Sequence, residues 1–249
     1  TLRRAAEPML DRLDTAVRQI RQAGGRRVVS VSTFASFASL WLIPRLEAFQ
    51  REYPHIDLRV NASDALVDPD GNDTGAVDIA LRYCRPEGAT PDSVRLFDEI
   101  VTPLASPAFI ERCRIGGPPL AVPADLAAHT LMEEDNPRDS AEYVSWSRWL
   151  REQGLADLQP SRWVYFNYTY QQVQAALAGQ GVTMGRLAMS VEAAQRGDLV
   201  EVFPGTRLTS PYNYWLIKPP AARMSEEALR FCEWVEAQAA LTRAALADL

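Results

Sequence analysis

The apolar, β-branched residues of RRVVSVS (26–32) predict a strand. The loop Thr33-Phe34-Ala35-Ser36 follows, and the apolar run from Phe37 to Tyr53 predicts a helix. IDLRV (56–60) and VDIAL (77–81) alternate, each with one aliphatic face. Strand, helix, strand, connection, strand opens a parallel sheet with right-handed crossovers. VRLFDEIVTPLASP (94–107) adds an extended stretch that ends at a proline-led helix start.

Further along, DLAAHTLMEED predicts a short helix and a strand, and SAEYVSWSRWLREQGL a single amphipathic helix. VYFN is a strand leading into TYQQVQAALAGQG, a helix whose buried face would be Tyr170, Val173, Ala176 and Leu177, with Gly179 and Gly181 at its exit. VTMG, a helix over 187–196 and LVEVFPG repeat the alternation, and YNYWLIKPP is the last strand. Ser225 would cap a closing helix to about Leu246, with Glu226 and Glu227 favourably placed in its first turn.

The start of the chain has a different period. Leu2, Ala6, Met9, Leu13, Ala16 and Ile20 are spaced by alternating fours and threes until Gly24-Gly25. Both an amphipathic helix packed on its own domain and a dimerising linker fit that seam, and Pro8 interrupts either. Charge sets the segment apart as well. The 249 residues carry a net −6, and residues 1–27 hold seven arginines against Glu7, Asp11 and Asp14; a +4 segment leaves the body at −10. An acidic body is not a surface that grips nucleic acid throughout.

Composition, 47% hydrophobic and 23% charged, is that of a globular protein of one large domain or two small ones. No stretch approaches the ~18 apolar residues of a membrane span, and TLRRAAEPML does not read as a signal peptide. Three widely spaced cysteines, Cys84, Cys113 and Cys232, suit a reducing compartment. Two histidines in the whole chain leave no familiar zinc spacing. The glycines of AGQGVTMG follow a helix and precede a strand, the reverse of a dinucleotide fingerprint, and neither a G-x-S-x-G elbow nor a P-loop is present. Nothing here points to an enzyme or implies a cofactor.

SFASLWLIPRLEAFQREYPHIDLRV (36–60) resembles the regulatory domain of LysR-type transcriptional regulators. The likeness continues through AVDIALRY (76–83), LFDEIVTPLASPAF (96–109), VQAALAGQGVTMGR (173–186), GDLVEVFP (197–204) and YWLIKP (214–219). WLIPRL and AVDIALRY are most similar to the branch that includes glycine-cleavage and β-lactamase regulators. The resemblance implies an α/β fold of two Rossmann-like subdomains joined by two crossing strands, periplasmic-binding-protein-like (type 2). Residues 25–102 with 214–249 would form subdomain I and 103–213 subdomain II, and residues 1–24 are similar to the end of a linker helix. It also implies a winged helix-turn-helix preceding this chain that contacts promoter DNA, a cytoplasmic location, and no membrane. Homodimers through helix 37–53 and the C-terminal helix, tetramers of the full-length regulator, and RNA polymerase as a further partner complete the expectation. A solute-binding protein of a transporter is the alternative on the same fold.

The expected ligand is a small, anionic effector held between the subdomains. The loop before helix 37–53 opens on strand ends, where a helix N-terminus favours an anion, although Ser36 or Ser39 could serve only as a cap. By resemblance, Ser36 and Phe37 fall where the family contacts its effector, and Asp68 falls at an acidic ligand position; by itself Asp68 reads as a turn residue beside Asp70-Gly71. Asn167, Tyr168 and Thr169 precede a helix in the other half and mirror the first loop. Tyr214, on the second crossing strand, is placed at the cleft in preference to Tyr212. Arg82 would neutralise an acidic effector or form a surface ion pair. Glu133, Glu134 and Asp135 read as a solvated acidic face, with selection of a cationic ligand group as the alternative.

Overall fold

The computed structural model describes residues 27–62, 77–90, 92–135, 139–219 and 224–249. The expected linker helix at 1–24, Pro8 and Asp68 lie outside them. The strands are β1 (Arg27–Thr33), β2 (Ile56–Ala62), β3 (Ile79–Cys84), β4 (Val94–Ala105), β5 (Thr130–Glu134), β6 (Arg162–Phe166), β7 (Val182–Arg186), β8 (Val200–Glu201) and β9 (Leu208–Ile217). They form one sheet in the order β2-β1-β3-β9-β4-β7-β5-β6, with β8 on β4. At one end β1 runs parallel to both β2 and β3, and at the other β5 runs parallel to both β6 and β7. Between these parallel sets the long strands β9 and β4 pair antiparallel to each other and to their neighbours β3 and β7. The chain therefore crosses from one half to the other on β4 and returns on β9.

The helical segment α1 (35–52) is not a uniform helix. It passes from a turn at Ala35–Phe37 through a π stretch at Ala38–Leu42 and a 3-10 turn at Ile43–Arg45 to regular helix at Leu46–Glu52. Pro44 has no N–H to give, which disturbs the ladder at this point. The Arg45 side chain compensates: Nη1 donates to the Trp41 carbonyl at 2.6 Å and pairs with Glu192 at 3.0 Å.

The other helices are α2 (Pro107–Ile115), α3 (Trp146–Glu152), α4 (Thr169–Leu177), α5 (Leu187–Gln195) and α6 (Glu226–Asp248). Hydroxyl caps start three of them, with Ser106, Ser145 and Ser225 accepting from the amides of Phe109, Arg148 and Ala228. Ser145 also explains a departure from the pattern. The single helix expected over SAEYVSWSRWLREQGL is a 3-10 turn, Ala141–Val144, and then α3, because Ser145 caps one and ends the other. The strand expected in LVEVFPG shrinks to β8. On α4 the buried residues are Thr169, Gln172, Val173, Ala175 and Ala176, a face rotated from the expected one because Gln172 is satisfied inside, accepting from the Thr183 hydroxyl at 2.7 Å.

Three hydrophobic clusters pack on the sheet, the smallest joining Leu104, Met132, Val173, Ala176, Leu187 and Leu199, alongside two larger ones. The first packs Phe37, Trp41, Phe49, Phe231 and Trp234 against β1 and β3, and Trp41 Nε1 donates to Thr242 Oγ1 at 2.9 Å to tie α1 to α6. The second buries Leu126, Leu131, Trp146, Trp149 and Leu150. Both indoles satisfy their N–H groups on backbone carbonyls, Trp146 on Met132 and Trp149 on Thr206, each at 2.9 Å.

Candidate functional site

The starts of α1 and α4 belong to different halves, and they touch. The Tyr170 amide donates to Ser36 Oγ at 3.4 Å, and both Ser36 and Thr169 are buried. Five strands deliver polar and charged side chains to one place. Glu99 comes from β4, Tyr214 from β9, Arg186 from the end of β7, Glu134 from the end of β5 and Tyr83 from β3. Arg186 pairs with Glu99 at 3.2 Å and with Glu134 at 3.5 Å. Tyr214 donates to Glu99 Oε2 at 2.6 Å, and Thr169 donates to Glu134 Oε2 at 2.6 Å. The Arg186 guanidinium also stands 5.0 Å from the centre of the Tyr83 ring.

The electrostatics follow from burial. Removal from water raises the Glu99 carboxyl above its ordinary range, and Arg186 with the Tyr214 and Tyr83 hydroxyls only partly offsets this. Burial by itself would lower Arg186, but the carboxylates of Glu134 and Glu99 hold it well above its usual value. Burial and the adjacent Glu99 charge push both Tyr83 and Tyr214 up. Among the described residues three buried side-chain oxygens have no partner: Thr33 Oγ1, Glu99 Oε1 and Ser190 Oγ. Thr33 opens the first candidate loop, and Glu99 lies at the centre of the charge cluster.

The structure distributes the sequence-predicted residues unevenly. Ser36 is at the contact between the halves. Phe37 is 1% exposed, with its ring packed on Trp41, Phe97 and Tyr214. Tyr214 is fully buried and spends its hydroxyl on Glu99, while Tyr212 is half-buried and stacks on Tyr83. Thr169 is engaged by Glu134. Asn167 is exposed, and Tyr168 stacks on Tyr170 at 5.5 Å. Arg82 is half-buried and donates to the Ser32 carbonyl at 3.0 Å and the Ser32 hydroxyl at 2.9 Å. Among the described residues it has no carboxylate partner. Glu133 and Glu134 are not a solvated face: Glu133 accepts from the Trp146 amide at 2.9 Å, and Glu134 joins the cluster. Glu99 and Arg186 were missed altogether. A carboxylate inside the apolar run of β4 was the available signal.

The space at the cluster is small. A cavity of about 20 Å³ is lined by Glu133, Glu134, Ser140, Ser145 and Arg186 among others, room for a single water. A larger groove of about 570 Å³ runs between β4 and the end of α6, but it includes none of the candidate ligand residues.

Two parallel sets of strands, two crossing strands and a polar cluster between them define a two-lobed domain of the kind that receives a small molecule. The sequence matches the family described as LysR substrate binding domain over residues 22–240. It is 30% identical over 232 residues to the glycine cleavage system transcriptional activator of Escherichia coli K12, covering 93% of this chain and 72% of that protein. It is 27% identical to the HTH-type transcriptional activator AmpR of Pseudomonas aeruginosa, again over 93% of this chain and 72% of the relative. The solved effector domain of the Pseudomonas aeruginosa regulator AmpR superposes with a TM-score of 0.64 at 27% identity, covering 88% of this chain and 99% of that one. The chain belongs to the LysR substrate-binding family and has its type 2 periplasmic-binding-like fold. It is the regulatory, effector-binding domain of a LysR-type transcriptional regulator, a family without enzymatic activity whose members bind small effectors and DNA and form oligomers. The alternative of a transporter's solute receptor is thereby overturned, since the relatives are transcriptional activators.

Proposed function

We propose that this domain senses a small anionic metabolite between residues 25–102 with 214–249 on one side and residues 103–213 on the other. The observation that carries this is Arg82, a half-buried guanidinium whose described hydrogen bonds all go to neutral groups. It sits on β3, whose neighbour β1 ends at the loop holding the unpartnered Thr33 hydroxyl. Ser36, the Phe37 backbone, Asn167, Tyr168 and Thr169 surround the ligand in this reading. Asp68 completes it from the β2–β3 connection, and Tyr214 acts through Glu99.

Effector binding selects one separation of the two halves, and that choice sets the arrangement of subunits on DNA. The dimer forms through α1 and α6, the full-length regulator assembles as a tetramer in the cytoplasm, and the DNA-bound form contacts RNA polymerase. The relatives' printed role as transcriptional activators supports this direction of control.

A thermal-shift screen of carboxylate metabolites tests the ligand class. The expected result is stabilisation by at least one acid, lost in Arg82→Ala. Stabilisation that survives Arg82→Ala undiminished would refute the assignment of Arg82.

A further inference from the structure

The groove of about 570 Å³ between β4 and the end of α6 has no part in the site described above. Val94, Ile100 and Leu246 make much of it apolar, and Arg95, Asp98, Glu236 and Arg243 add charge of both signs. Apolar surface rimmed by charge marks a place where something docks. The path of the chain leads a candidate to it. The described residues begin at Arg27, and Arg27 pairs at 2.6 Å with Glu227 in the first turn of α6. Residues 1–26 therefore join the domain at the start of the helix whose end lines the groove. As a helix, residues 2–24 span about 34 Å, the length of the 23-residue α6. A turn at Gly24-Gly25 lays them antiparallel to α6, with their first half level with residues 236–247.

The pattern of the segment suits such a seat. Leu10 and Val17 lie beside the seam of Leu2, Ala6, Met9, Leu13, Ala16 and Ile20 and widen it to a stripe of about 120°. A stripe that broad faces a packed domain, whereas a two-stranded coiled coil needs only the narrower seam. Charge agrees: Arg3, Arg12 and Arg21 border the stripe, and α6 carries five acidic residues against two arginines. We propose that residues 2–20 dock through this stripe in the groove of their own subunit, as a helix antiparallel to α6. The groove is then a site for an amphipathic, arginine-bordered helix supplied by the same chain. Its strand wall is β4, one of the two strands that cross between the halves. The docked segment thus rests on a strand that both halves share, and a shift of β4 moves its seat.

Amide hydrogen exchange on the whole 249-residue chain tests the docking. Leu13→Asp should speed exchange over Arg243–Ala247 by about tenfold or more, the scale of unburying one leucine. Thr15→Asp introduces the same charge on the far side of the segment and should leave those amides at the wild-type rate. Exchange in Leu13→Asp no faster than in wild type overturns the proposal, and so does a Thr15→Asp protein that exchanges as fast as Leu13→Asp. In the wild type the protection should be the same above and below the concentration at which subunits separate; protection lost on dilution gives the groove to a second copy instead. Met9 lies in the stripe, so its thioether should resist peroxide relative to the urea-unfolded chain. Oxidation of Met9 at the unfolded rate overturns the docking even if no variant folds.

Discussion

Arg85 Nη2 donates to the Tyr143 hydroxyl at 2.9 Å, joining the residue after β3 in one half to the 3-10 turn before α3 in the other. The same guanidinium lies 5.3 Å from the Tyr143 ring and 5.2 Å from the Tyr212 ring on the second crossing strand. Tyr212 in turn stacks on Tyr83, which faces Arg186. One row of rings and guanidinium groups thus runs from the surface clasp to the buried cluster. Because Arg85 is exposed, the clasp contributes to the balance between closed and open forms far more than to folding. Arg85→Ala should leave the thermal midpoint nearly unchanged while amide hydrogen exchange at the end of β3 and around residues 140–145 speeds up. Unaltered exchange there would show that the clasp does not hold the halves together.

Glu99 predicts a pH signature. Its folded-state carboxyl is raised above the unfolded value by burial, so the native state holds the proton more tightly than the unfolded chain does. Between those two values stability falls as pH rises, the opposite of a salt-bridged surface carboxylate. Glu99→Gln, which cannot lose a proton, should be less stable than wild type at no pH above this window, and its advantage should grow as pH rises through it. Melting curves from pH 4 upward check the sign, and a wild-type advantage that increases with pH would contradict the raised carboxyl.

The proposed dimer contact can be probed without unfolding the subunit only at chosen positions. Phe231 is fully buried between Phe49 and Trp234, so Phe231→Glu should unfold the domain; truncation of a buried Phe alone costs about 3–5 kcal/mol. Ile43 on α1 is 55% exposed and Leu229 and Leu241 on α6 are also exposed. Ile43→Glu or Leu229→Glu should convert dimer to monomer in sedimentation with little change in the melting of the subunit. Dimers that persist in both variants would place the interface elsewhere.

Gly181 tests the close approach at the start of β7. A methyl group there would run into the Thr130 carbonyl oxygen, and backbone of a paired strand cannot move aside cheaply. Gly181→Ala should therefore destabilise by about 1–3 kcal/mol in chemical denaturation, the range for overpacked cores. An alanine that costs nothing would mean that β5 and β7 can separate freely.

Much of this architecture is written locally. β-branched residues over 26–32 and alternation over 56–60 and 77–81 mark β1, β2 and β3, and Ser225 with two glutamates marks the start of α6, because pleat and helix ends impose short-range patterns. The ordered segments were also enough to indicate the family. Strand periodicity distinguishes the two faces of a strand but carries no information about what covers each face. Hence Phe37 and Tyr214, read as ligand contacts, belong to packed interior, and Glu133 and Glu134, read as solvated, are engaged inside.

The cluster of Glu99, Glu134, Arg186, Tyr83 and Tyr214 is the clearest case. Its members come from five strands, Glu99 and Tyr214 from within the β4–β9 pair and the others from the ends of β3, β5 and β7, and they meet only when the parallel sets of strands flank that pair in one sheet. Sequence by itself determined the strands, the helix starts and the class of domain, since these depend on neighbours a few residues apart. Tertiary structure alone decided which charges share a buried site, because Coulomb attraction and desolvation depend on distance in space and on exclusion of water, and neither is encoded by position along the chain.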